Sequence, residues 1–169
     1  MDQTKRRRKL SNKQEQKATK ELGLKMSPAS GATMFGGGDG RLAGKIRLEC
    51  KFTESDFYIL KLEDLLKLRK QAIKGGLERP IFQIEFKGNF KAKYAVVEDH
   101  TLEEMNLDTW KSTDKKQITL AAQELYTSLE PKKISFGKLQ AIGEEFNRHV
   151  FVIYEWNDFL RREGFNDRN

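Results

Sequence analysis

Two acidic residues and one lysine are spaced so that they could form a catalytic site. Asp39 follows a run of three glycines, Glu49 lies ten residues later, and Lys51 lies two residues after Glu49. Side chains two positions apart on a strand share a face, and a glycine-rich loop can fold Asp39 back beside them. Converging carboxylates form an oxygen site of the kind that Mg²⁺ binds. Lys51 beside two acids is expected to stay protonated and to stabilise negative charge in a transition state. A surface ion pair is the alternative interpretation.

The segment that carries Glu49 and Lys51 has the clearest strand pattern in the chain. Apolar and charged residues alternate over residues 45–52, which gives one face for a core and one charged face. The surrounding elements follow a strand–helix–strand order with a hairpin, so we expect an α/β fold with a mixed central β-sheet flanked by helices. The predicted neighbours are a helix over 11–22, a glycine-rich loop over 26–44, a helix over 60–73, and strands over 81–86 and 90–97.

The second half of the chain has weaker patterns. The sequence predicts a buried strand over residues 150–154 and four helices, over residues 101–110, 117–129, 138–147 and 156–162. Residues 60–86 and 136–156 both pass from a helix to an apolar strand. This order is common in α/β proteins, so it does not by itself indicate a repeat. We expect one domain over residues 11–165, with residues 98–135 as a possible insertion or accessory helices.

Composition limits the class of protein. The 169 residues are 37% hydrophobic and 34% charged, with a mean hydropathy of −0.72. No apolar run approaches the length of about 20 residues that a membrane-spanning helix needs, so we expect no membrane association. Polar residues follow the basic N-terminus where a signal peptide would be apolar. The single cysteine, Cys50, excludes an internal disulfide. These features predict an intracellular, cytoplasmic protein.

Positive charge is concentrated near the N-terminus. Residues 1–20 contain eight Lys and Arg against two acidic residues, whereas residues 98–169 contain ten basic and fourteen acidic residues. This asymmetry favours a polyanionic partner, with nucleic acid first. We expect residues 1–10 to be a flexible basic arm that contacts phosphates. A solubilising tail or a localisation signal is the alternative. The basic residues of this arm are Lys5, Arg6, Arg7, Arg8 and Lys9.

The pattern Asp39…Glu49-Cys50-Lys51 on a glycine loop and a strand resembles the PD-(D/E)XK nuclease signature. With the helix residue Glu15, the segment Ser27-Pro28-Ala29-Ser30-Gly31 and the basic N-terminus, the chain is similar to the archaeal-type Holliday junction resolvases and their phage relatives. The resemblance covers about residues 5–97. Glu21 is an alternative to Glu15 for the helix glutamate. Gly40 and Arg41 follow the aspartate, where family members usually have apolar strand residues.

The resemblance implies a restriction-endonuclease-like core and a metal-dependent site. The implied catalytic residues are Glu15, Asp39, Glu49 and Lys51. The implied metal ligands are Glu15, Asp39, Glu49 and the main-chain carbonyl of Cys50, with Mg²⁺ as the ion and Mn²⁺ as its substitute. The implied DNA-binding residues are the basic arm, Ser27, Ser30 and Arg41.

The function implied by this resemblance is a structure-selective DNA endonuclease that resolves four-way junctions in recombination. The implied setting is the cytoplasm of a prokaryote or a phage-infected host. Because a junction is resolved by paired nicks, we expect a homodimer with one site in each chain. Phe57, Tyr58 and Trp110 are candidates for its apolar interface, although each of them could instead be a core residue. Two alternatives remain open. The chain could be a non-catalytic DNA-binding protein on a decayed nuclease scaffold, or a PD-(D/E)XK nuclease that cuts other DNA structures.

Overall fold

The computed structural model of the chain describes residues 3–26, 40–42, 44–99, 110–128, 130–137 and 148–165. Four helices lie in these ranges: α1 (Gln3–Glu21), α2 (Leu62–Lys74), α3 (Ala122–Tyr126) and α4 (Trp156–Arg162). Ten strands lie between them: β1 (Lys25–Met26), β2 (Gly40–Leu42), β3 (Ile46–Thr53), β4 (Phe57–Lys61), β5 (Arg79–Phe86), β6 (Ala92–Glu98), β7 (Lys111–Thr113), β8 (Gln117–Ala121), β9 (Lys132–Phe136) and β10 (His149–Glu155). No helix in these ranges has the length and apolar character needed to cross a membrane.

Eight strands form one mixed sheet in the order β1-β2-β3-β5-β6-β10-β9-β7. The β3–β5 and β7–β9 pairs are parallel, and all the other neighbours are antiparallel. The remaining two strands, β4 and β8, pair with each other as a separate antiparallel ribbon. This arrangement confirms the predicted α/β fold with a mixed sheet flanked by helices.

Each face of the sheet is covered by its own hydrophobic core. On one face, α2, α3 and the β4–β8 ribbon contribute to a cluster around Phe82, Phe86 and Phe136. On the other face, α1 and α4 pack through Leu22, Trp156 and other apolar residues. Because side chains alternate along a strand, β3 contributes Leu48 and Cys50 to the α1 side and directs Glu49 and Lys51 to the α2 side.

Several element boundaries differ from the sequence prediction, most of all around β4 and β8. The predicted helix over 60–73 is present as α2, but the strand β4 precedes it. The predicted helix over 117–129 is wrong in its first part, because residues 117–121 form β8 and the helix α3 begins only at Ala122. The physical reason is pairing: Ile118 and Leu120 alternate with exposed residues and pair with Leu60 and Tyr58 of β4.

The basic N-terminal segment is helical and not a separate arm. Helix α1 begins at Gln3, eight residues before the predicted start, and continues to Glu21. Lys and Arg are good helix formers, and no Gly or Pro separates them from the rest of the helix. The predicted helices over 101–110 and 138–147 lie outside the described residues, apart from Trp110, which directly precedes β7.

Candidate functional site

Glu49 and Lys51 form an ion pair on β3. The Lys51 Nζ lies 2.6 Å from Glu49 Oε1, and the side chains of Lys51 and Glu49 are 43% and 23% exposed, respectively. The pair is therefore partly shielded but open to solvent on one side. This arrangement confirms the predicted juxtaposition of Glu49 and Lys51 on one face of a strand.

The environment of the pair includes a buried phenol. Tyr58 of β4 packs against the ring of Phe82, and burial raises the pKa of Tyr58 well above its ordinary value. The carboxylates of Asp64 and Glu49 raise the pKa of Tyr58 further. The phenol stays protonated at neutral pH, so it adds no negative charge beside the Glu49–Lys51 pair.

The ladder between β2 and β3 stops directly before Glu49. Gly40 pairs with Leu48, and Arg41 and Leu42 pair with the two residues before it. In the described part of the chain, β3 is paired on one side only from Glu49 onward. Asp39 precedes Gly40 in the chain, one residue beyond this last pair, but it lies outside the described residues.

Helix α1 contacts β3 at Lys51, beside the Glu49–Lys51 pair. The buried side chain of Gln14 donates from Nε2 to the main-chain carbonyl of Lys51 at 2.8 Å and to Gln83 Oε1 at 3.2 Å. Glu15, the next residue, is 8% exposed and lies on the α1 face that packs on the sheet. Glu15 therefore approaches β3 from the α1 side, whereas the Glu49 side chain leaves β3 on the α2 side.

The predicted metal ligands are described only in part. Glu49 supplies a carboxylate, and the Cys50 carbonyl lies next to it in β3, while the Cys50 side chain is buried in the α1-side core. Among the described residues, no three His, Cys, Asp or Glu side chains are grouped so that they could hold a metal ion. The described donors are hard oxygens, which suits Mg²⁺. The predicted second carboxylate, Asp39, lies outside the described residues.

Glu21, the alternative to Glu15, has a different structural role. Its Oε2 accepts a hydrogen bond from the indole nitrogen of Trp156 at 2.7 Å and lies 3.8 Å from Lys93 Nζ. These contacts tie the end of α1 to the beginning of α4 and to β6. The structure therefore places Glu15, and not Glu21, beside the turn of α1 that bonds to β3.

Arg41, predicted to bind DNA, is part of a buried ion cluster. Its guanidinium donates from Nε to Glu78 and from Nη2 to the carbonyl of Gly75 at 2.9 Å. The same Glu78 carboxylate accepts from Arg47 Nε at 2.7 Å, and the side chains of both Glu78 and Arg47 are buried. These contacts join β2 to the loop after α2 and leave about a third of the Arg41 side chain exposed.

The outer face of α1 carries a row of lysine and arginine residues. Positions 14, 15, 18, 19 and 22 are buried against the sheet, and the basic side chains lie on the opposite side of the helix at intervals of three or four residues. At a rise of about 1.5 Å per residue, the row extends over about 21 Å. This basic face consists of the exposed residues Arg6, Lys9, Lys13, Lys17 and Lys20.

The remaining predicted DNA-binding residues are described incompletely. Arg6 is two-thirds exposed and lies 3.4 Å from Glu54. Lys9 is exposed. The other three residues of the basic segment, Lys5, Arg7 and Arg8, belong to α1, but their side chains lie outside the described part of the chain, as do Ser27 and Ser30 entirely.

Sequence reasoning missed the polar residues that hold the site together. Gln83 stands among the apolar residues of β5 and is fully buried, which is a signal for a structural hydrogen bond. Glu78 follows a glycine pair and has no comparable signal, because its partners are more than 30 residues away in the sequence. Comparison with known proteins found no matching family model, no matching curated protein and no matching solved structure.

Proposed function

We propose that this chain is a Mg²⁺-dependent DNA endonuclease with a PD-(D/E)XK core and that it cuts branched DNA, four-way junctions above all. The observation that carries the proposal is the Glu49–Lys51 pair, which lies where the β2 ladder ends. A carboxylate and a lysine on one strand face are groups that phosphodiester hydrolysis needs, and Asp39, which precedes Gly40 in the sequence, is the second carboxylate of the proposal.

Hydrolysis adds one water to phosphorus and breaks one P–O ester bond, which leaves a phosphate on one end and a hydroxyl on the other. Glu49 and Asp39 are the carboxylates that would hold Mg²⁺, or Mn²⁺ in its place, and the bound ion would neutralise charge on the phosphate. Glu15, the third carboxylate that the resemblance implies, lies on the α1 side of the sheet, opposite to the Glu49 side chain. The Lys51 ammonium, which Glu49 orients at 2.6 Å, would stabilise the negative charge that develops on the phosphate oxygens.

The basic face of α1 supplies a DNA-contacting surface in this proposal. It lies on the α1 side of the sheet, so bound DNA would reach Glu49 and Lys51 on the α2 side by passing the edge of β3 that β2 does not cover after Leu48.

The basic face is opposite to the buried face of the helix, and two described acidic residues pair with it: Glu21 lies 3.8 Å from Lys17, and Glu54 lies 3.4 Å from Arg6. A continuous row of cations about 21 Å long matches the spacing of several phosphates along one strand of DNA. Phosphate contacts of this kind position the duplex without determining which bond is cut.

Removal of three charges from this face should weaken DNA binding and flatten its salt dependence. The slope of log K against log salt is negative. In the variant Lys9→Ala/Lys13→Ala/Lys20→Ala, its magnitude should decrease by about 0.9 for each phosphate that is no longer neutralised by a lysine. Fluorescence anisotropy with a labelled junction in EDTA, measured over a series of salt concentrations, gives this slope.

The matched control removes three lysines from α2 instead. Lys67, Lys70 and Lys74 are exposed, and the variant Lys67→Ala/Lys70→Ala/Lys74→Ala changes the net charge by the same amount. The slope of the control should stay close to that of the unmodified chain. Equal changes in the two variants would show that net charge alone, and not the α1 face, governs binding.

The proposed activity is tested with three radiolabelled substrates of matched sequence: a four-way junction, a flap and a linear duplex. Each is incubated with the chain in Mg²⁺, in Mn²⁺ and in EDTA. We expect strand scission of the junction in either metal and none in EDTA. Preferential scission of the flap or the duplex would support the nuclease activity but assign it a different DNA substrate.

A non-catalytic DNA-binding protein is the second candidate. It is favoured by one observation: within the described residues, no third metal-ligating side chain joins Glu49. Tight junction binding in Mg²⁺ and Mn²⁺ without any scission would support this candidate over the nuclease.

A homodimer that makes paired nicks, as the resemblance implies, is one form of the proposal, and a single chain that nicks one strand at a time is the other. Of the three candidate interface residues of the homodimer, Tyr58 and Trp110 pack against the core on the α2 face, whereas Phe57 is 58% exposed on the outer side of the β4–β8 ribbon. Core packing is therefore the observed role of Tyr58 and Trp110, and Phe57 is the candidate that remains for an interface.

A further inference from the structure

Two segments 60 residues apart fold in the same way. Residues 51–65 and 111–125 both pass from the end of a strand through a three-residue bend into a five-residue strand and then directly into a helix. The sequences share only a few residues at matching positions, namely Lys51 with Lys111, Thr53 with Thr113, Leu60 with Leu120, and Leu65 with Leu125.

The similarity extends to the whole sheet. We define a first unit as residues 46–98, which contain β3, β4, α2, β5 and β6, and a second unit as residues 111–155, which contain β7, β8, α3, β9 and β10. In each unit the first strand pairs in parallel with the third, and the third pairs antiparallel with the fourth. The units meet through the β6–β10 pair and the β4–β8 pair, both antiparallel. This arrangement is that of an approximate two-fold axis between the units.

Individual hydrogen bonds obey the same relation. The bond from Leu62 N to Lys116 O is 2.9 Å long, and its counterpart from Ala122 N to Asp56 O is 2.8 Å long. Two further matched pairs are Lys87 N to Thr53 O with Gly137 N to Thr113 O, and Ser55 N to Thr53 Oγ1 with Lys115 N to Thr113 Oγ1. The first matched pair joins the two units in both directions, and the other two pairs lie within each unit at equivalent positions.

Both units contribute side chains from equivalent positions to one hydrophobic core. The strand registers align Ile84 with Ile134 and Phe86 with Phe136, and all four side chains are buried in the same cluster. The central pair is Val96 with Ile153, which lies in the β6–β10 ladder that joins the units. The second unit therefore covers the edge of β6 and part of the core that a separate first unit would expose.

The two units differ at the proposed cutting centre. Lys111 occupies the position of Lys51, but the residue two places before it is Thr109 in the sequence and not a glutamate. Lys111 Nζ lies 2.7 Å from Glu124 and donates to the carbonyl of Thr119 at 2.9 Å. The lysine of the second unit thus ties β7 to α3 and β8, whereas Lys51 pairs with the carboxylate of its own strand.

We infer that this chain is an internal pseudo-dimer in which the second unit takes the place of a second subunit and the first unit alone carries a cutting centre. The inference rests on the proposed function. A two-fold nuclease dimer has one centre for each of two strands. This chain has the two-fold scaffold, and among the described residues the Glu49–Lys51 pair has no counterpart around Lys111 in the second unit, so the chain nicks one strand in each binding event, and the opposing nick needs a second event.

The test uses a supercoiled plasmid that extrudes a four-way junction, with the chain below the plasmid concentration. We expect nicked circles to form first and linear DNA to follow after a lag, and unlabelled junction added after the first nick should suppress the linear product. Light scattering should give a mass near 19.6 kDa for the chain. Linear DNA formed without a lag by a species of twice this mass would overturn the inference while leaving the proposed function intact.

A pair of equivalent substitutions tests the asymmetry directly. Lys51→Met should lower the nicking rate by about 10²-fold or more because it removes the charge at the cutting centre. Lys111→Met should leave nicking in place, with thermal melting used to confirm that the variant is folded. Equal losses in two folded variants would overturn the inference. Absence of scission by the unmodified chain on every substrate and metal would overturn the proposed function and, with it, the single-nick conclusion.

Discussion

Glu49→Gln should abolish metal-dependent strand scission, with a loss of about 10³-fold or more, and should leave junction binding nearly unchanged. The amide keeps the size of the side chain but removes the negative charge that would hold the metal and that orients Lys51 at 2.6 Å. Binding is expected to persist because the basic face of α1 makes the phosphate contacts from a different element.

The measurement compares single-turnover cleavage of a labelled junction with anisotropy of the same junction in EDTA. Glu63→Gln is the matched control, because Glu63 is a largely exposed residue of α2 and its substitution makes the same chemical change. Full scission by a folded Glu49→Gln variant would show that Glu49 is not part of the cutting centre. Equal loss of binding and scission would instead show that the residue supports the DNA surface.

Glu78→Gln should destabilise the fold by about 3–5 kcal/mol. The Glu78 carboxylate is the shared partner of Arg41 and Arg47, and the side chains of Glu78 and Arg47 are buried. A buried guanidinium that loses its anion retains the full cost of leaving water, so removal of one partner costs more than the intact pair contributes. The amide fills the same volume, so no cavity effect adds to the loss.

Urea denaturation followed by circular dichroism measures this change as a shift of the midpoint at constant slope. The control is Glu54→Gln, which breaks the exposed pair with Arg6 and should change stability by less than about 1 kcal/mol. If Glu78→Gln does not fold, Arg41→Ala keeps the Arg47–Glu78 pair and should show a smaller loss. Losses below about 1 kcal/mol in both variants would contradict a stabilising role of the cluster.

Local patterns in the sequence were sufficient for the strand that carries the site and for its neighbours. Alternation over residues 45–52 places Glu49 and Lys51 on one face whatever the rest of the fold is, because the side-chain period of a strand is two. In the same way, the spacing of the leucines in α2, with Gly75 and Gly76 after them, determines a helix and its end. The structure confirmed these elements because they depend on neighbours in the sequence.

Tertiary structure alone decided the features that depend on distant partners. The sequence predicts a helix over residues 117–129, but residues 117–121 form β8 because they pair with β4, which lies 60 residues earlier in the chain. The sequence alone suggests that Arg41 is a surface residue. Only the path of the chain after α2 places Glu78 beside it. The two-fold relation between the units is almost invisible in the sequence, because what the units share is the order and register of hydrogen-bonded strands. Main-chain pairing of this kind tolerates almost any side chain on the strand, so it leaves little trace in residue identity.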